Sequence, residues 1–233
     1  MVSLRLRQAV PLLVLATVFV ATGVHRYRDV RAAASTEPAG RAPKPFPAHV
    51  VPAAPGLPQY ADGPRTRIRQ QVASANAMWT TTFAAGGETY ERPDVADGVP
   101  STCRPTGGWA GVYCGEDSTI VIDVDAHLAR HSAVGGGLSD LALGYIVAHE
   151  VGHHVQRLRG ATAPADIAGA QRIELHADCL AGVWGKAAGL PLPPTWIYGS
   201  DAQHGSAQKR VEALNVGYRS GRPADCDVIW SGA

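Results

Sequence analysis

Neither sign of charge dominates this chain. Its 21 Lys and Arg stand against 20 Asp and Glu, giving a formal net charge of +1, and charged residues are only 18% of the total. Nucleic-acid binding needs a concentrated basic surface, so that class of partner is excluded. No internal repeat is present, which argues against an array of stacked units. Cysteine is sparse at 4 in 233 residues, with no Cys-x-x-Cys pair. What is abundant is hydrophobic sequence, at 45%, enough for one ordinary globular core plus appendages.

The one long apolar run comes first. Ala9 to Val24 follows Arg5 and Arg7 and ends at His25, Arg26, Tyr27 and Arg28. Basic flanks on an apolar stretch mark an export signal or a membrane anchor, assigned to residues 1–31. Either reading puts the remainder outside the cytoplasm, membrane-anchored or secreted. Four cysteines agree with an oxidising compartment. Of three possible pairings, the short spacing favours Cys103 with Cys114, leaving Cys179 with Cys226.

Residues 32–64 hold Pro38, Pro43, Pro45, Pro47, Pro52, Pro55, Pro58 and Pro64. Repeated prolines favour extended backbone, so a linker is expected there and a folded domain over 65–233. Asp62-Gly63-Pro64 reads as a helix start, and Ile68, Val72, Ala75, Trp79 and Phe83 recur at helical spacing. Thr119–Val124 reads as a strand, preceded by a stapled hairpin. Gly135-Gly136-Gly137 should break the chain before a helix over 140–158. A second helix is expected over 166–189 and a shorter one over 205–219.

The chemistry begins on the first of these late helices. His149-Glu150-Val151-Gly152-His153 places two imidazoles four residues apart on one helical face, where both reach one ion. Zinc takes imidazole nitrogen, and two ligands from one rigid helix make half a tetrahedral site. Glu150 is turned off that face, beside the metal, where a general base is wanted. On the next helix Glu174-Leu175-His176-Ala177-Asp178 puts two carboxylates at i and i+4. Glu174 is the expected third ligand, and Asp178 is placed to accept the free N–H of a ligand histidine. Gly169, Ala170, Ala177, Ala181 and Gly182 are small enough to let these two helices approach. His204 and Tyr145 are candidate hydrogen-bond donors to a developing oxyanion. His154 points away around the helix, and His127 and His131 are expected at the surface.

On these strings the chain resembles the putative neutral zinc metallopeptidase family of bacteria. They are Tyr145 to Gln156, Glu174 to Trp184 and His204 to Arg210, with weaker matches at Tyr113-Cys114, Ile122-Asp123 and Cys226-Asp227. The layout is also similar to the gluzincins. The resemblance implies Glu174 as third ligand, Asp178 as partner of a ligand histidine, and a strand near Thr119–Val124 beside the cleft that pairs with substrate. The expected fold is α+β and zincin-like, with a small twisted sheet and two metal-bearing helices. The expected activity is zinc-dependent hydrolysis of peptide bonds. The alternatives are a zinc-containing binding module without turnover and a hydrolase of a non-peptide amide in the cell envelope.

Overall fold

The stripe Ile68, Val72, Ala75, Trp79 and Phe83 is fully buried, on a helix α1 that runs Gly63–Ala85. Every fourth or third residue faces inward, as the spacing requires. The computed structural model describes residues 40–48, 51, 53–54, 63–97, 103, 110–131, 136–195 and 198–231. The apolar run expected to export or anchor the chain lies outside the described residues. Among the described residues, no helix is long and apolar enough to cross a membrane.

Three short strands follow α1: β1 (Asp94–Asp97), β2 (Gly111–Cys114) and β3 (Thr119–Ile122). They form a mixed sheet in the order β1-β3-β2. β3 runs parallel to β1 and antiparallel to β2, with Val112 opposite Val121. This arrangement corrects one expectation. β3 is the central strand, both of its edges are used, and it has none left for a substrate. Among the described residues, β2 keeps one edge unpaired. A short helix α2 (Val124–His131) comes next, opened by Asp123, whose carboxylate accepts the Ala126 N–H. It buries His127 to 1% exposure, where a surface residue was expected.

Helices α3 (Gly136–Leu158) and α4 (Ile167–Ala187) carry the candidate site. α3 begins inside the triple glycine that was expected to interrupt the chain. Gly160, at φ 88°, takes the left-handed turn that releases the chain from α3, a conformation open to glycine at little cost. Asp166 then caps α4 by accepting the Gly169 N–H at 2.7 Å. A Cβ added at Gly152 would sit 3.2 Å from Ala177, so the two helices touch beside His153 and Glu174. Gly182 serves a different contact. A Cβ there would lie 2.1 Å from the Leu214 carbonyl oxygen, on helix α5 (Ala207–Ser220). A short 3₁₀ turn (Pro223–Cys226) and a last turn, α6 (Val228–Ser231), close the chain.

The cystines are Cys103–Cys114 and Cys179–Cys226. The first ties β2 to the chain before it, and the second ties α4 to the 3₁₀ turn. Two cystines suit an oxidising environment outside the cytoplasm. Part of the proline-rich stretch also differs from a free spacer. Phe46 and Val51 are each 7% exposed and belong to the core. The Phe46 N–H donates to the Asp227 carboxylate at 2.9 Å.

Candidate metal centre

His149 and His153, one turn apart on α3, meet Glu174 from α4. The Nε2 atoms of the two rings lie 3.1 Å apart. Glu174 Oε2 lies 3.0 Å from the first and 3.2 Å from the second. These three residues form a group that could hold a metal ion. Four ligands at zinc–nitrogen distances of about 2.0–2.1 Å around a tetrahedron stand about 3.3 Å from one another. The spacing observed is within a few tenths of an ångström of that.

Proton positions decide what the cluster wants. Asp178 Oδ1 lies 2.9 Å from His149 Nδ1. Burial opposes the charge of Asp178, but Arg210 and His149 hold its carboxyl below the usual range, so it accepts and does not donate. The proton is therefore on His149 Nδ1. Gln156 Nε2 donates to the Ile173 carbonyl at 2.7 Å, which fixes the other end of that amide as oxygen. That oxygen lies 2.9 Å from His153 Nδ1, so this ring also carries its proton on Nδ1. Both neutral rings then present a bare Nε2, and they do so towards an ionised carboxylate. With both rings neutral, three lone-pair donors converge with no proton between them.

Such a point takes a cation, or it leaves a ring charged. Burial works against charge on His149, yet Asp178 and Glu174 outweigh it and push the ring up to about 10. Burial would raise Glu174, but His153 and His149 hold it well below the usual carboxylate range. The residues present therefore fit a zinc ion in donor type, number and spacing.

Glu150 is 6% exposed and turned off the ligand face, as its place in the helix requires. Burial pushes its carboxyl up, against the pull of His149 and His153. Its neighbour is the edge strand. A Cβ added at Gly111 would lie 2.8 Å from Glu150 Oε1. His204 comes from the chain before α5, and its Nε2 stands 3.3 Å from Glu174 Oε2. Its Nδ1 is held 2.9 Å from Asp201 Oδ2. Tyr145 is elsewhere. Its hydroxyl donates to the Pro191 carbonyl and its ring packs edge-on against Trp184, so it is a packing residue. His154 faces away, between the Tyr113 hydroxyl and the Glu91 carbonyl.

Several residues around the site were not singled out from sequence. Arg210 reaches from α5 to grip both oxygens of Asp178, at 2.8 and 3.0 Å, while its guanidinium covers the Tyr198 ring. Gln156 and Asp201 orient histidines, and Gly111 leaves room for Glu150. Only Gln156 had a readable signal: an amide three residues beyond a ligand, on the same face of the same helix.

Two imidazoles and a carboxylate brought together in this way are the donor set of zinc peptidases. The chain belongs to the family described as putative neutral zinc metallopeptidase, whose family model matches residues 57–191. It is similar to the uncharacterised protein YpfJ of Escherichia coli K12, at 29% identity over 198 residues, covering 68% of this chain and 69% of that one. It is also similar to the uncharacterised protein Rv2575 of Mycobacterium tuberculosis H37Rv, at 30% identity over 208 residues, or 67% of each chain. No solved structure matches.

Proposed function

We propose that this protein hydrolyses peptide bonds outside the cytoplasm, on a zincin-like domain, with zinc held by His149, His153 and Glu174. The supporting observation is the convergence of His149 Nε2, His153 Nε2 and Glu174 Oε2 within 3.0–3.2 Å of one another. When bound, zinc supplies a water acidified to a pKa of about 7 and polarises the substrate carbonyl. Glu150 takes the proton of the attacking water and passes it to the leaving amine. A buried carboxyl with a raised pKa suits a group that must both accept and release that proton.

His204, held at Nδ1 by Asp201, donates from Nε2 to the oxyanion when its ring is charged, a state that burial disfavours and that Glu174 favours. The β2 edge, next to Glu150, is where an extended peptide would pair. Export rests on the flanked apolar run within residues 1–31 and on the two cystines. A binding module with only structural metal has no use for a buried carboxylate beside its ligands, so Glu150 weighs against that alternative.

The test compares the purified protein with Glu150→Gln on a peptide library. Both should hold one zinc per chain, and only the unaltered protein should cleave. Equal cleavage by the two removes Glu150 as the base. Tight zinc binding without cleavage by either supports the binding module.

A further inference from the structure

Gln156 is one helical turn beyond His153 and buried to 3% exposure. Both ends of its amide are committed. Nε2 donates to the Ile173 carbonyl at 2.7 Å and also faces His176 Nδ1 at 3.0 Å. Oε1 faces His153 Nδ1 at 2.9 Å. An amide with its nitrogen end held by a carbonyl cannot turn over, so an acceptor is always presented to His153.

With His176 Nδ1 accepting from Gln156, the proton of that fully buried ring lies on Nε2, facing Asp227 Oδ1 at 3.8 Å. The other oxygen of Asp227 accepts the Phe46 N–H. Asp227 directly follows Cys226, which is bonded to Cys179 on α4.

We infer that Gln156 is a positioning residue of the metal centre: it fixes the tautomer and ring angle of His153 as Asp178 fixes those of His149, and its own amide is anchored on the Ile173 carbonyl and His176. The two ligand histidines are therefore held by two different devices. A buried carboxylate paired with Arg210 holds His149. A neutral amide anchored on a backbone carbonyl holds His153, and it adds no second negative charge beside Glu174. Outer partners of metal-ligating histidines typically change metal affinity by about 10–100-fold when removed. This inference rests on the reading of His149, His153 and Glu174 as ligands.

The experiment loads the full chain, cystines intact, with Co²⁺ and records its ¹H NMR spectrum in water. Two strongly shifted, exchangeable ring N–H signals are expected, one per ligand histidine. Each is assigned by Overhauser contacts, to the Asp178 side or to the Gln156 side. Gln156→Met removes the acceptor at similar size. It should abolish or exchange-broaden the His153 signal, leave the His149 signal in place and weaken zinc binding by about 10–100-fold in chelator competition. Gln156→Glu restores an acceptor and should recover the His153 signal.

Persistence of both signals and of full affinity in Gln156→Met overturns the inference. Should that variant not fold, the unaltered protein decides, since a spectrum with the His149 signal alone also overturns it. Failure of the ligand reading looks different: His153→Ala would then bind Co²⁺ as tightly as the unaltered protein.

Discussion

Gly111→Ala separates the base from the metal more cleanly than a change at Glu150 itself. The added Cβ would lie 2.8 Å from Glu150 Oε1, 3.0 Å from its Cγ and 3.1 Å from Ile146 Cγ2. Carbon and its neighbours settle at about 3.5–4.0 Å, so something must retreat by about half an ångström or more. The atoms in the way are the outer part of a side chain, and Glu150 is the more mobile partner of the pair. Gly111 does not have a positive φ, so alanine introduces no backbone strain there. Misplacing a reacting group by about 1 Å can cost about 100-fold in rate. A half-ångström shift of the base should lower kcat about 10–100-fold, or about 1.4–2.7 kcal/mol of barrier. Zinc stoichiometry should stay at one, because no ligand touches Gly111. The assay pairs kcat on a cleaved peptide with zinc content and a melting curve on the same sample. Full kcat in Gly111→Ala would refute the placement of Glu150 against the β2 edge. Loss of zinc would show that the edge supports the ligands and not the base.

Arg210→Met leaves Asp178 charged, buried and without its strongest partner, so it should destabilise the fold by about 3–5 kcal/mol, read by denaturant titration. Zinc affinity should fall with pH, by about tenfold per unit between about pH 8 and about pH 6. The sign follows from His149, which stays charged up to about 10 without an ion and must be neutral to bind one. Isothermal titration at several pH values checks this, and a flat profile would contradict it. Loss of Cys179–Cys226, which closes 47 residues, should destabilise by about 4 kcal/mol, against about 3 kcal/mol for Cys103–Cys114, which closes 11. Cys-to-Ser pairs compared by thermal melting test the ranking.

The clustering of the candidate ligands was legible because their geometry is local. Residues four apart on one helix share a face whatever surrounds them, so His149 and His153 declare themselves. Glu174 required only that a second helix return beside the first, and the spacing allowed it. The core stripe of α1 was readable for the same reason. What stayed hidden depends on contacts between distant segments. Sheet order is not written in any one strand, so β3 looked like a candidate edge and is in fact central. Arg210 reaches Asp178 only because α5 lies tightly on α4. A Cβ at Gly217 would come within 1.9 Å of the Cys179 carbonyl oxygen, and no local pattern announces that closeness. Phe46 looked like part of a proline-rich spacer, yet its ring lies against Trp79 under the Arg159 guanidinium. Of the small residues expected at the α3–α4 contact, Ala177 meets Gly152 there, whereas a Cβ at Gly169 would face Pro164 and Asp166, and Gly182 serves α5.

The most direct measurement is X-ray absorption at the zinc edge of the loaded protein. A first shell of nitrogen and oxygen alone at about 2.0–2.1 Å is expected, with outer-shell scattering from two imidazoles and a first shell that loses one oxygen in Glu174→Ala. Sulfur at about 2.3 Å, or a spectrum that Glu174→Ala leaves unchanged, would contradict the account.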